Sequence, residues 1–262
     1  MKPIRGIFIS DTHCGDELGL TPPKWIKQSS PLAPFMRDYW SWYVAQLKDI
    51  GPVDICIDAG DMVNGNPKGN SRSLVTNDMG DQVLIAIECR EMIKAKKRVF
   101  CYGTDCHVGG ATDWEKMVAY HFGEDIETEV KLDLNGFRIS AMHKRGFGKS
   151  SSPAGNGGAL GKAGVVTYIE EKKIGNDHPH LMVSGHVHDY AGYYNSEYEV
   201  MSLPALQIAH RDSTPYARGL VGVYDVGIIS FTVDKYGHFI KDKPRIKKFI
   251  FRPKGGDVYA KI

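Results

Sequence analysis

Apolar residues in the first half of the chain form short β-type runs separated by longer stretches with helical spacing. The apolar, β-branched runs predict three strands, at 4–9, 53–58 and 98–102. Apolar positions with helical spacing predict two helices, at 35–50 and 76–96. This order of strands and helices predicts crossover connections on the faces of a largely parallel or mixed sheet.

The second half of the chain has a different pattern. A short helix is predicted at 114–122, and the turn Asn135-Gly136 is typical of a hairpin. Residues 144–164 are rich in Gly, Ser and Lys, which predicts a mobile loop. No helical pattern appears after about residue 199, so we expect a second sheet built partly from this end of the chain. The predicted strands of this half are 130–134, 137–142, 181–184, 199–203, 219–226, 228–233 and 246–251.

Asp and His residues follow five of these predicted strands. They are Asp11, His13, Asp61, His107, His143, His186 and His188. Open α/β sheets bind ligands at the carboxyl ends of their strands, where such side chains can turn toward one point. Carboxylate oxygens and imidazole nitrogens are both ligands of divalent ions. Random scatter would rarely place this many Asp and His residues after apolar strands, so the pattern favours a metal site over isolated surface side chains.

The order of these segments resembles that of the calcineurin-like metallophosphoesterase superfamily, whose pattern is D-x-H, G-D, G-N-H-[DE], a lone His and G-H-x-H. The order and approximate spacing agree from residue 4 to about residue 190. The matching segments are Asp11-Thr12-His13, Gly60-Asp61, Gly103-Thr104-Asp105-Cys106-His107, His143 and Gly185-His186-Val187-His188.

The resemblance implies an α/β fold, a four-layer α/β/β/α sandwich of two mixed sheets flanked by helices. Two metal ions would lie at the carboxyl ends of the strands. We expect residues 1–262 to form a single metallophosphoesterase domain, in which the β-rich part from about residue 199 completes the second sheet.

The resemblance also implies a set of metal ligands. Asp11, His13 and His188 would hold one metal ion, and His143 and His186 would hold the other. Asp61 would bridge the two ions and is therefore also a catalytic candidate. A bridging carboxylate can hold two cations about 3.5–4 Å apart, where they grip a phosphate and activate a metal-bound water. Neutral imidazoles favour Mn, Fe, Zn or Ni over Mg, and Mn is the first expectation.

The third segment departs from the family pattern. The family has an Asn ligand of the second metal directly after Gly, but here Gly103 is followed by Thr104, and the histidine comes only at His107. Either Thr104 or Asp105 occupies the Asn position, or the second metal is held more loosely. In the role implied by the resemblance, His107 contacts the phosphate and assists the leaving group. The alternative is a structural or surface histidine.

A second phosphate-binding motif is disfavoured. Gly148-Lys149-Ser150 is similar to the end of a P-loop, but His143 stands where the first Gly is required, and no helical pattern follows. The segment is either a lid whose Lys144, Arg145 and Lys149 attract an anionic substrate, or a solvated loop.

Composition narrows the function classes. Lys and Arg number 33 against 31 Asp and Glu, which gives a formal charge of +2 and no global basic field for long duplex DNA, although a local basic patch remains possible. The 5 cysteines show no C-x-x-C spacing, which favours a reducing, intracellular setting. No apolar run approaches the roughly 20 residues of a membrane span, and the N-terminal run is too short for a signal peptide, so we expect a cytoplasmic protein.

The resemblance, together with the pattern of Asp and His residues, implies a dinuclear metal-dependent phosphoesterase that hydrolyses a P–O bond by attack of a metal-bridging hydroxide. A phosphodiester is the first expectation, and the substrate is either a small phosphate ester or a nucleic acid. The alternatives are a nuclease of the same superfamily, and a metal-binding or scaffold protein whose catalysis is weakened by the altered third segment.

Overall fold

The computed structural model describes residues 1–65, 74–108, 112–145, 153–208 and 225–247, with side chains from residue 158 onward in the segment that begins at 153. Lys149 and the predicted strand positions 219–224 and 248–251 lie outside these ranges. The helices are α1 (Ala33–Ile50), α2 (Met79–Glu91), α3 (Asp105–Val108), α4 (Trp114–His121) and α5 (Pro153–Lys173). The strands are β1 (Ile4–Ile9), β2 (Val53–Asp58), β3 (Ala95–Cys101), β4 (Ile126–Glu127), β5 (Glu129–Leu134), β6 (Phe137–Met142), β7 (Leu181–Ser184), β8 (Ala191–Tyr194), β9 (Glu199–Ser202), β10 (Val226–Val233), β11 (Phe239–Lys241) and β12 (Arg245–Lys247).

The strands form two mixed sheets. The first has the order β11-β10-β1-β2-β3-β4, and β12 also pairs with β10. Its strands β1 to β4 run parallel, whereas β10 runs antiparallel to β1. The second sheet has the order β5-β6-β7-β9-β8, with β6, β7 and β9 parallel. The parallel strands of each sheet therefore present their carboxyl ends at one edge.

Successive side chains along a strand point to opposite faces of the sheet, so they pack in different layers of the fold. Ile7 and Ile9 of β1 pack with α1, α2 and α4, whereas Phe8 between them belongs to the cluster that joins the two sheets. In the second sheet, Leu181 and Val183 face the first sheet. Met182, by contrast, packs with Leu160 of α5 and with Tyr198 and Val200. The layers are therefore helix, sheet, sheet and helix, and the expected four-layer α/β/β/α sandwich is confirmed.

The expectation that the chain from about residue 199 completes the second sheet is wrong for the described strands after β9. Of the strands described in this segment, β9 joins the second sheet, whereas β10 pairs with β1, and β11 and β12 pair with β10 in the first sheet. This pairing covers the edge of β1 and stacks the Phe231 ring on Phe8, with ring centroids 4.6 Å apart.

The loop expected at 144–164 is also partly wrong, because α5 begins at Pro153. Arg145 is buried and donates a hydrogen bond to Glu129 at 3.3 Å, so it is not part of an exposed lid. The second helix ends at Glu91 and not at 96, and β3 begins at Ala95. Within the described part of the chain, no helix combines the length and apolar character needed to cross a membrane.

Candidate metal centre

Six predicted ligands meet where strands of the two sheets end. Asp11 and His13 follow β1, Asp61 follows β2, His143 follows β6, and His186 and His188 follow β7. Among the described residues, three groups bring their ligand atoms within 4.8 Å of one another. These groups are Asp11, His13 and His188; His13, Asp61 and His107; and Asp61, His143 and His186. The predicted bridging residue Asp61 is shared by two groups, and so is His13.

The distances inside these groups fit shared cations. Ligands that each lie about 2.1 Å from one ion cannot be more than about 4.2 Å apart. His188 Nε2 lies 3.1 Å from Asp11 Oδ1, and His143 Nε2 lies 3.0 Å from Asp61 Oδ2. His13 Nε2 lies 3.7 Å from Asp61 Oδ2 and 4.0 Å from Asp11 Oδ1. Each of these pairs is therefore close enough to share an ion.

Five of the predicted ligands have backbones in the left-handed region, which is unfavourable for residues with a Cβ. They are Asp11, His13, Asp61, His186 and His188, with φ between 42° and 74°. Each such residue costs on the order of 1–3 kcal/mol and persists only where the surrounding structure imposes it. Their clustering at one place is typical of a functional site.

Hydrogen bonds fix the Asp11 carboxylate. The backbone N–H of His186 donates to both of its oxygens at 3.1 Å, and the Ser10 hydroxyl donates to Oδ2. Gly185 permits this approach, because a Cβ there would lie 2.0 Å from Ser10 Oγ and 2.7 Å from Asp11 Oδ2. Although burial opposes ionisation, the nearby His188 and His143 keep the pKa of Asp11 below its usual range.

Hydrogen bonds from Thr104 fix the Asp61 carboxylate in the same way. Its backbone N–H donates to Asp61 Oδ1 at 2.7 Å, and its hydroxyl donates to Oδ1 at 2.9 Å and to Oδ2 at 3.1 Å. A Cβ on the preceding Gly103 would lie 2.2 Å from Asp61 Oδ1. Of the two candidates for the family's Asn position, Thr104 therefore lies at the site. Asp105 is exposed and belongs to none of the three described ligand groups.

Backbone carbonyls orient two of the imidazoles. Nδ1 of His143 lies 2.7 Å from the Ala59 carbonyl oxygen, and Nδ1 of His107 contacts the Asn64 carbonyl oxygen. Because a carbonyl only accepts, Nδ1 carries the hydrogen in each ring, and the neutral form leaves the Nε2 lone pair facing Asp61. A bare nitrogen and a carboxylate oxygen repel each other unless a proton or a cation lies between them.

Burial and neighbouring charges shift the pKa values of these side chains. Burial alone would lower the pKa of His143, but the adjacent Asp61 carboxylate raises it to about 10. Burial also opposes protonation of His107, whereas Cys106 and Asp61 raise its pKa to about 9. Burial would raise the pKa of Asp61, but its histidine neighbours hold it well below the usual range. The carboxylates are therefore ionised and ready to bind a cation.

His13 supplies the clearest sign that the site fits a cation. Its side chain is buried, and neither ring nitrogen has a hydrogen-bond partner among the described residues. Burial and the neighbouring His107 lower its pKa to about 3, so its ring is neutral. An unsatisfied buried polar atom costs about 1–3 kcal/mol. A divalent cation coordinated by Nε2, Asp61 and Asp11 would satisfy it.

Sequence reasoning missed two buried ionisable residues that support the site. Glu115 accepts hydrogen bonds from the backbone N–H groups of Met62 and Gly103, both at 2.6 Å. Burial and the Asp61 charge raise its pKa to about 8. Arg90 donates to Asp58 at 2.7 Å and to the Thr12 hydroxyl at 3.2 Å. No sequence signal singled these residues out, because they match none of the metal-ligand segments.

Comparisons with known proteins give similarity at the level of solved structures. No protein-family model matches the sequence, and no curated protein matches it. A predicted phosphoesterase from Streptococcus pneumoniae is 13% identical, with 89% of this chain and 85% of that chain covered and a TM-score of 0.40. For Yfce, a phosphoesterase from E. coli, the identity is 13%, the coverage 90% and 97%, and the TM-score 0.44. Vps29 from Entamoeba histolytica, complexed with zinc, is 10% identical, with 87% and 85% covered and a TM-score of 0.40.

Proposed function

We propose that this protein is a metal-dependent phosphoesterase that uses two divalent cations, Mn²⁺ in the first instance, to hydrolyse a phosphodiester. One observation carries the proposal: Asp61 lies between two sets of ligands and belongs to two of the three described ligand groups. A carboxylate shared in this way is the arrangement that two-metal hydrolysis of phosphate esters requires.

The chain's own residues hold and orient the reacting groups. Asp11, His13 and His188 would hold one cation, His143 and His186 the other, and Asp61 both. When bound, two such cations neutralise the charge of a phosphate and activate water for attack. Thr104 and the His186 N–H fix the carboxylates of Asp61 and Asp11 by hydrogen bonds. The ligands therefore need little rearrangement when substrate arrives.

A nuclease is the alternative within the same chemistry, because a nucleic acid is also a phosphodiester. The formal charge of +2 gives mild support to a smaller substrate over long duplex DNA. The second candidate function is a metal-binding scaffold. It is favoured by Thr104, whose hydroxyl donates to Asp61 where the family pattern has an Asn ligand.

The first experiment compares a diester with a monoester. The protein is freed of metal with a chelator, reconstituted with Mn²⁺, and assayed with bis-p-nitrophenyl phosphate and with p-nitrophenyl phosphate. We expect faster turnover of the diester, and none in the metal-free protein. The Asp61→Ala variant serves as the inactive control. Absence of turnover of either compound with any first-row divalent ion would contradict the proposal and favour the scaffold.

A further inference from the structure

His107 lies closer to the ligand atoms than a residue that only contacts substrate needs to be. Its Nε2 is 3.9 Å from Asp61 Oδ2, which is within the roughly 4.2 Å that two ligands of one ion can span. Its ring is nearly perpendicular to the His13 ring, with ring centroids 4.6 Å apart and an interplanar angle of 81°. His107 and His13 thus approach the same carboxylate together.

The contacts of His107 match those of His143, a residue predicted as a ligand from its motif. Each ring directs Nδ1 to a backbone carbonyl of the loop around Asp61, Ala59 for His143 and Asn64 for His107. Each ring then directs Nε2 toward Asp61 Oδ2. Metal-bound histidines typically donate their other ring N–H to a carbonyl or carboxylate in this manner, which fixes the tautomer and the ring orientation.

A second, independent observation points to a ligand between these groups. His13 Nε2 is buried, lacks a hydrogen-bond partner among the described residues, and lies 3.7 Å from the same Asp61 oxygen. The atoms His13 Nε2, Asp61 Oδ2 and His107 Nε2 therefore surround one point with two imidazole nitrogens and one carboxylate oxygen. This donor set suits a borderline divalent cation such as Zn²⁺, Co²⁺ or Mn²⁺.

We propose that His107 is a metal ligand, which joins His13 and Asp61 in holding one cation. This role replaces the leaving-group role that the resemblance implied, and it rests on the proposed function because it requires the same metal centre. The group of His13, Asp61 and His107 then offers two imidazoles and one carboxylate, as does the group of Asp61, His143 and His186.

The test is a titration of metal-free protein with Co²⁺. Calorimetry measures the binding, and the visible absorption of the bound ion reports its ligands. The proteins are the wild type, His107→Ala, His107→Gln and the control His121→Ala, whose side chain lies at the surface beside Glu91. We expect two bound Co²⁺ ions in the wild type and in the control. In both His107 variants we expect one of these ions to bind at least about tenfold more weakly and the spectrum to change.

A second measurement needs no folded variant lacking this ligand. In the wild type with ¹⁵N-labelled histidines, addition of Zn²⁺ should shift the Nε2 signal of His107, identified by sequential assignment. An unshifted signal, or an unchanged Co²⁺ titration and spectrum in both His107 variants, overturns the ligand role and leaves the metal centre intact. If the wild type binds neither Co²⁺ nor Zn²⁺, the proposed function fails together with this inference.

Discussion

Strain at single residues marks the candidate metal centre. Asp11, His13, Asp61, His186 and His188 hold left-handed backbones through contacts within the protein. Hydrogen bonds from Thr104 and from the His186 N–H keep the two carboxylates in place. Residues in this backbone region persist only where the surrounding structure imposes the geometry.

Asp61 is the residue whose loss should remove both cations. It is shared by the groups that contain His13 and His143, so Asp61→Ala takes a ligand from each site. We expect the purified variant to contain less than a tenth of the metal of the wild type, as measured by elemental analysis after reconstitution. The matched control is Asp105→Ala, which removes an exposed carboxylate two residues before His107. Full metal content in Asp61→Ala would contradict its shared position.

Glu115 should matter for stability although it contacts no predicted ligand side chain. Its carboxylate accepts from the N–H groups of Met62 and Gly103, which flank the Asp61 carboxylate. Glu115→Ala leaves two buried donors without a partner, at about 1–3 kcal/mol each. We expect a corresponding fall in the free energy of unfolding in urea. Glu115→Gln keeps one acceptor and should lose less, and an equal loss in both variants would show that the two hydrogen bonds are not the cause.

At the scale of elements, a buried ion pair joins helix α2 to strand β2. Arg90 and Asp58 are both almost fully buried, with Arg90 Nη2 2.7 Å from Asp58 Oδ2. Replacing Arg90 leaves the Asp58 carboxylate buried without its partner. Arg90→Met should therefore destabilise the protein by about 3–5 kcal/mol. The double variant Arg90→Met/Asp58→Asn should recover part of this loss in a double-mutant cycle measured by urea unfolding. Additive losses would mean that the two charges do not depend on each other.

Patterns in the sequence predicted elements well where a hydrophobic face decides the structure. Helix α1 and strands β2 and β6 lie within two residues of their predicted bounds. Helix α5 was missed because its glycines are typical of loops. In the fold they permit close packing on the second sheet: a Cβ on Gly164 would lie 2.5 Å from the Tyr198 ring and 2.6 Å from Val200. Such a use of glycine depends on a partner strand that local sequence does not reveal.

The candidate site likewise has residues that the sequence predicts and contacts that it does not. Motif order predicted six candidate ligands, and the structure brings these side chains together, because their positions follow from where strands end. It did not predict that Thr104 donates to Asp61 or that Glu115 joins two loops, because these contacts connect positions 43, 53 and 12 residues apart. Pairings of this kind depend on the packed loops and carry no spacing signal.

At the scale of the whole molecule, the candidate centre connects the two sheets. Asp11, His13 and Asp61 come from the first sheet, and His143, His186 and His188 come from the second. A cation held by both sets is bound by the folded protein and not by the unfolded chain. Mass action then stabilises the fold by about 2.7 kcal/mol for each site at a cation concentration 100 times its Kd.

The distance along the chain between these ligands has a kinetic consequence. His186 donates to Asp11 across 175 positions, so the centre exists only after both sheets have formed and met. Cations should therefore leave the refolding rate unchanged and slow unfolding, by roughly 100-fold per site at 100 times the Kd. Stopped-flow measurements in urea with and without Mn²⁺ check this, with Asp61→Ala as the cation-insensitive control. Faster refolding with Mn²⁺ would mean that the ligands meet before the folding barrier is crossed. If the refolding rate is unchanged, the bound ions are held only after the barrier, and they determine the lifetime of the native state.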